Sequence, residues 1–236
     1  MAGEVVTTGA RAADTARVDA PRDTDPVTDA EQTEAGAASV PGRRMADQAE
    51  APAAAAAKAS SAGERELTRL IAARIRDVPD YPQPGVLFKD ITPLLADGEA
   101  FRAVIDVLAE TYGPVDKVAG IEARGFILAA PVAARLGAGF VPIRKKGKLP
   151  GVTFAQDYQL EYGTATIEVL TDAFDPGDRV LVIDDVLATG GTARATADLV
   201  QRAGARVAGI SVLLELAFLH GRAKLADLPV TALITV

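Results

Sequence analysis

The chain has 236 residues, 49% hydrophobic and 24% charged, a globular composition long enough for one ordinary domain plus extra segments. Its net charge of −7 offers no basic footprint for nucleic acid. With no cysteine and one histidine, His220, it has no disulfide, thiolate metal site or Cys nucleophile, and histidine-based zinc sites and triads are disfavoured. No apolar run approaches the length of a membrane span, and the first residues lack a basic stretch followed by an apolar one, so neither a span nor a secretory leader is expected.

Residues 1–62 differ in kind from the rest. They hold no Phe, Tyr, Trp, Leu or Ile, carry 10 acidic and 6 basic residues, and include the alanine tract 53–57. Such a segment cannot bury enough apolar surface to offset its chain entropy. A disordered tail is therefore expected over 1–62 and one folded domain over 63–236. Met45, the second of two methionines, lies in this tail and is a candidate translation start.

Leu67, Leu70, Ile71, Ala73 and Ile75 form a helical apolar stripe, which predicts a helix over 63–76. Pro79, Pro82 and Pro84 end it and open an irregular segment that runs to Pro93. Free backbone N–H and C=O groups there could read the edge of a heterocycle, and Phe88 could stack on one. The plainer alternative is a rigid loop packed on the core. A second helix is predicted over 97–112, stopped by Gly113-Pro114.

Strands and helices then alternate. A short buried strand over 117–121 runs through Glu122-Ala123-Arg124-Gly125 into a helix over 126–136. Arg124, on a tight loop at a helix N-terminus, suits bidentate contact with phosphate; otherwise it is a surface cation capped by Glu122. A strand over 140–143 leads into Arg144-Lys145-Lys146-Gly147-Lys148, four positive charges in five residues of an acidic protein. Such a run is often merely solvated, but beside a binding edge it would attract a polyphosphate and stabilise an anionic leaving group. Residues 148–163, with Gly151 and Gly163 bounding polar and aromatic residues, suit a mobile flap. With His220 read as a surface residue, proton transfer falls to a carboxylate, lysine or tyrosine. Glu161, beside Tyr162, is the best-placed carboxylate.

Further strands are predicted over 165–170, 179–183, 207–214 and 230–236, with a turn at Asp175-Pro176-Gly177-Asp178 and a helix over 193–202. Strands alternating with helices imply an α/β fold with a doubly wound, mostly parallel sheet. The segment 179–192 is the most informative. A buried β-branched strand is followed by Asp184 and Asp185, then by the small-residue loop Ala188, Thr189, Gly190, Gly191 and Thr192, then by a helix. In an open parallel sheet ligands bind beyond the carboxyl ends of the strands. A Gly-rich loop entering a helix presents N–H groups and a positive dipole end to phosphate. Two carboxylates beside that cradle suit hydroxyls, a divalent cation, or both. The segment reads as a site for a phosphorylated sugar. It lacks the lysine of a Walker A loop and the spacing of a dinucleotide fingerprint.

This stretch resembles the phosphoribosyl pyrophosphate (PRPP) signature of the type I phosphoribosyltransferase family. Residues 80–236 are similar in order to the adenine-using branch of that family. The similarity is carried by Val86-Leu87-Phe88-Lys89-Asp90, Glu122-Ala123-Arg124-Gly125, residues 144–150 and Leu160-Glu161-Tyr162-Gly163. The resemblance implies that family's sheet with a small N-terminal hood. It implies Asp184 and Asp185 on the ribose hydroxyls and Ala188 to Thr192 on the 5′-phosphate. Arg124, Arg144, Lys145 and Lys148 would serve the pyrophosphate, with Arg124 and Lys148 also catalytic. Leu87, Phe88 and Lys89 would contact adenine, and Glu161 would assist proton transfer at the base. It further implies Mg²⁺ held mainly through PRPP rather than by protein ligands, a cytoplasmic homodimer, and neither nucleic acid nor membrane as partner. Transfer to another base, or a PRPP-sensing regulator without catalysis, are the alternatives.

Overall fold

A computed structural model of the chain describes residues 63, 65–159 and 163–236. The tail expected over 1–62, the candidate start at Met45 and the carboxylate of Glu161 all fall outside the described residues.

Helix α1 covers residues 65–72, with Ile71 fully buried and Leu67 and Leu70 packed beside it. It is shorter than the helix expected to residue 76, because Arg76 already belongs to a strand. Strand β1 (Arg76–Pro79) pairs antiparallel with β2 (Leu87–Asp90), so the segment expected to be irregular is partly a hairpin. Its ladder carries opposite charges face to face. Arg76 meets Asp90 at 2.6 Å and Lys89 meets Asp77 at 2.7 Å. Four-residue strands rich in charge give no apolar alternation, which is why the pattern missed them. Helix α2 (Thr92–Ala96) was likewise unread; it carries Pro93 in its first turn, where a missing N–H costs nothing. Helix α3 (Gly98–Glu110) starts at Asp97, whose side chain accepts from the amides of Glu99 and Ala100, a cap worth about 1 kcal/mol.

The remaining strands form one seven-stranded sheet. They are β3 (Lys117–Ile121), β4 (Gly139–Lys145), β5 (Thr153–Gln159), β6 (Thr164–Leu170), β7 (Arg179–Leu187), β8 (Arg206–Glu215) and β9 (Val230–Thr235). Their spatial order is β5-β6-β4-β3-β7-β8-β9. The five strands from β4 to β9 are parallel, and the β5–β6 hairpin joins antiparallel at the β4 edge. Along β7 the side chains alternate between two cores. Leu181 and Ile183 pack with Val104, Leu128 and Val132, while Val180 and Val182 pack with Ala193, Leu199 and Val200. The period of two thus sends alternate residues to α3 and α4 (Arg124–Leu136) on one face and to α5 (Gly191–Arg202) on the other. Each such fully buried Leu, Ile or Val contributes about 1.5–3 kcal/mol.

The expected doubly wound sheet is therefore present, with three corrections that matter for the site. β7 extends to Leu187, so Asp184 and Asp185 lie within the strand rather than beyond it. β4 extends to Lys145 and includes Arg144. The stretch expected to be a flap from residue 148 contains β5, paired over seven residues with β6. α4 leads from β3 to β4 and α5 leads from β7 to β8, in opposite directions across the sheet. The reversal point lies between β3 and β7, and a crevice opens beyond their carboxyl ends.

Candidate active site

Asp184 and Asp185, near the carboxyl end of β7, both lie against the start of α4. Asp185 is 5% exposed and lies on the α4 side, where its Oδ2 sits 2.9 Å from Nη2 of Arg124. The angle is too bent for a hydrogen bond, so Oδ2 has an ion-pair partner and no aligned donor. Asp184 accepts the amide of Asp185 at its Oδ1 and borders the loop of residues 188–192. Burial pushes both carboxyls above the ordinary aspartate range. The neighbouring Asp185 charge pushes Asp184 further, whereas Arg124 partly offsets the rise at Asp185. Two coupled groups of this kind titrate as a pair. Hydroxyl donors or a cation brought to them would favour their charged form.

The approach of α4 to β7 depends on Gly125. A Cβ there would lie 2.8 Å from the Ile183 carbonyl oxygen and 3.0 Å from Oδ1 of Asp184. No other residue lets the helix start this close to the strand end. Arg124, the residue before it, reaches Asp185 with one side of its guanidinium. Its Cζ lies 5.1 Å from the centroid of Phe88, and Phe88 in turn meets Tyr81 edge-on at 5.1 Å. The hood hairpin thus places an aromatic face over the cation that pairs with Asp185. Of the residues expected at the base, Phe88 faces this crevice and Leu87 is 51% exposed. The ammonium of Lys89 is held by Asp77, its partner across the β1–β2 ladder.

Glu122 was read in the sequence only as a cap for Arg124. It instead organises the basic run. Its Oε2 accepts from Nε of Arg144 at 3.1 Å and from the amide of Lys145 at 2.8 Å, and its Oε1 accepts from Nζ of Lys148 at 2.7 Å. Burial alone would raise its pKa, but the hydrogen bonds from Lys148, Lys145 and Arg144 win and take it from 4.5 down to about 2. Arg144 also lies over Phe126, with Cζ 5.8 Å from the ring centroid. Lys145, Lys146 and Lys148 are exposed, and Arg144 is half-buried. Spacing carried no signal for this role, since Glu122 and Lys148 are 26 residues apart.

Beyond β7, residues 188–193 line a cavity of about 230 Å³ together with Asp184 and Leu219. Gly190 is left-handed at φ 75° and precedes α5, whose N-terminus has no side-chain cap. Uncapped N–H groups and the positive helix end converge on that cavity, which is the geometry of an anion cradle. Gly191 allows the end of β5 to abut the start of α5, for a Cβ there would lie 2.7 Å from the Gln159 carbonyl oxygen. The flap hairpin and the cradle are therefore in contact. His220 is exposed, as expected. The sequence did not foretell Gly125 or Gly221, although a glycine opening a helix straight after a strand marks a close approach.

The arrangement can hold an anion at the α5 end, hydroxyls at Asp184 and Asp185, a second anion at the Glu122-held cations, and a flat ring near Phe88. Residues 91–227 match the model of the phosphoribosyl transferase domain family. The chain is 64% identical over 173 residues to the adenine phosphoribosyltransferase of Thermobifida fusca, covering 72% of this chain and 98% of that one. It is 62% identical over 176 residues to the adenine phosphoribosyltransferase of Streptomyces coelicolor, with 72% and 97% covered. Among solved structures, it is similar to the adenine phosphoribosyltransferase of Rhodothermus marinus, with TM-score 0.70, 52% identity, and 73% and 99% of the two chains covered. The yeast enzyme, crystallised with an imino-altritol bisphosphate and adenine, is similar at TM-score 0.69 and 36% identity, with 72% and 99% covered.

Proposed function

From the premise that this chain belongs to the phosphoribosyltransferase family, we propose how the crevice between β3 and β7 divides the work of its reaction. The chain is a pentosyltransferase of purine salvage. It moves the 5-phosphoribosyl group of PRPP to adenine, giving AMP and releasing pyrophosphate. The observation that carries the division of roles is the passage of β7 through Asp184 and Asp185 directly into the uncapped start of α5.

Ala188 to Thr192 receive the 5′-phosphate, using backbone N–H groups and the α5 dipole. Asp184 and Asp185 accept the ribose hydroxyls. Arg124 leaves its ion pair in part to meet the pyrophosphate, and Arg144, Lys145 and Lys148 complete that anion's surroundings. Phe88 stacks on adenine while the backbone of Leu87 and Lys89 reads its edge. Bond cleavage develops positive character at the anomeric carbon and negative charge on pyrophosphate. Fixed cations stabilise the second, and the β5–β6 hairpin limits water. Glu161, in the segment joining β5 to β6, holds or moves the proton at the base. Most of the acceleration is positioning.

Mg²⁺ suits the two aspartates, whose raised pKa values a cation would relieve, and it supplies charge neutralisation to the pyrophosphate when bound. Among the described residues no group of three or more carboxylate or histidine side chains converges on one point. In this reading the ion would be held mainly through PRPP oxygens and water. The same reading places the working unit in residues 63–236 and includes a homodimer in the cytoplasm, to be checked by sedimentation and cell fractionation. No described helix is long and apolar enough to cross a membrane.

The test is turnover with labelled PRPP and each of adenine, hypoxanthine, guanine, xanthine, uracil and orotate. Adenine should be preferred over every other base by at least about a hundredfold in kcat/KM. Turnover of hypoxanthine equal to that of adenine would overturn the substrate assignment.

A further inference from the structure

The 5′-phosphate loop is backed by a segment that the sequence leaves featureless. Two 3-10 turns, Ala217–Leu219 and Gly221–Leu225, follow β8 and meet at His220, itself left-handed at φ 54°. Gly221 is buried against the loop so closely that a Cβ on it would overlap the carbonyl oxygen of Ala188. The contact is reciprocal, because a Cβ on Gly190 would overlap the carbonyl oxygen of Gly221. Two glycines thus lie backbone to backbone, one in the loop and one beneath it.

The next residue fixes that contact in place. Arg222 donates from Nε to both oxygens of Glu215, at 3.0 and 3.2 Å, and its Nη2 donates to the same carboxylate. Its Nη1 donates to the Val230 carbonyl oxygen at 2.7 Å, tying the turn to the start of β9. Glu215 is 6% exposed and sits at the end of β8, paired in register with Leu187 at the end of β7. A fork held by one rigid carboxylate on a central strand has little rotational freedom.

We propose that the Glu215–Arg222 pair is a positioning device for the 5′-phosphate loop. It presses Gly221 under Ala188 and Gly190 and so presets the loop's N–H groups for the anion. Neither side chain touches substrate; both act through Gly221. The inference rests on the assignment of residues 188–192 as the 5′-phosphate cradle. Its effect is confined to the sugar-phosphate end, since Arg144 and Lys148 are held separately by Glu122, just beyond the end of β3.

The test measures binding of ribose 5-phosphate and of pyrophosphate to full-length Arg222→Ala, Arg222→Lys, Glu215→Gln, Gly221→Ala and Gly190→Ala. Arg222→Ala and Gly221→Ala should each weaken ribose 5-phosphate by about tenfold or more while pyrophosphate changes by less than about twofold. KM for PRPP should rise more than kcat falls, and Arg222→Lys should restore part of the loss. Glu215→Gln keeps the side-chain shape and should show the same selectivity, which covers the case of an unfolded Arg222→Ala. Equal losses for both ligands, or none for either, in the folded variants would overturn the inference. If Gly190→Ala also leaves ribose 5-phosphate binding unchanged, the cradle assignment falls with it. If Gly190→Ala alone loses binding, the cradle stands and the positioning role fails.

Discussion

Replacing Glu122 by Gln removes one negative charge from the centre of three hydrogen bonds. The Gln amide can accept at only one oxygen and turns an N–H₂ group toward either Lys148 or the Arg144–Lys145 side. A carboxyl drawn from 4.5 to about 2 corresponds to at most about 3.5 kcal/mol at about 1.4 kcal/mol per pKa unit. Arg144 and Lys148 are 31% and 49% exposed, so solvent screening brings the expected loss nearer 1 kcal/mol. For a domain of this size that lowers Tm by about 2–4 °C at pH 7. The sign with pH follows from the depressed pKa: the unfolded chain binds the extra proton first. Stability from Glu122 is therefore complete above about pH 4.5 and is lost as pH falls toward 2. The gap in Tm between wild type and Glu122→Gln, measured by calorimetry across that range, should shrink as the medium becomes acidic. With Arg144 and Lys148 released, turnover should fall by about 10- to 100-fold, with adenine affinity unchanged. A constant Tm gap from pH 7 to 3, together with turnover within about twofold of wild type, would refute the clamp.

The other expectations concern the strand end and the hood. Asp184→Asn should raise Tm at neutral pH, because the raised pKa means that its ionised form opposes folding once pH exceeds the ordinary aspartate value; calorimetry and PRPP titration should show gain of stability with loss of affinity. A lower Tm with normal PRPP binding would contradict this. Gly125→Ala should cost about 1–3 kcal/mol and most of the activity, since its Cβ meets the Ile183 carbonyl oxygen at 2.8 Å. A denaturant melt and a rate measurement decide the point, and unchanged values would show that the helix start can move. Arg124→Lys keeps the charge but loses the planar face over Phe88, so KM for PRPP should rise about tenfold in steady-state kinetics. An unaltered KM would mean that charge alone suffices.

Alternation of apolar runs with helical stripes was enough to read the parallel sheet, because buried β-branched strands and amphipathic helices differ in period. The order strand, Asp184-Asp185, small-residue loop, helix was equally readable, since strand, turn and helix start are local matters decided within a dozen residues. The hood hairpin was not, for its four-residue strands are held by charge pairs such as Arg76 with Asp90 rather than by an apolar pattern. Nor could spacing show that Asp184 and Asp185 both meet the start of α4, because that follows from how closely Gly125 lets the helix approach β7.

Composition and local pattern, then, determined the fold class and which loops carry chemistry. Only the tertiary structure decided the partners. It gave Arg124 to Asp185, gave Arg144 and Lys148 to Glu122, and set Gly221 beneath Gly190. The physical reason is range. Backbone conformation follows from neighbours in sequence, whereas an ion pair or a close backbone approach depends on where the sheet order brings residues that lie 22 to 61 positions apart, such as Glu122 with Arg144 and Arg124 with Asp185.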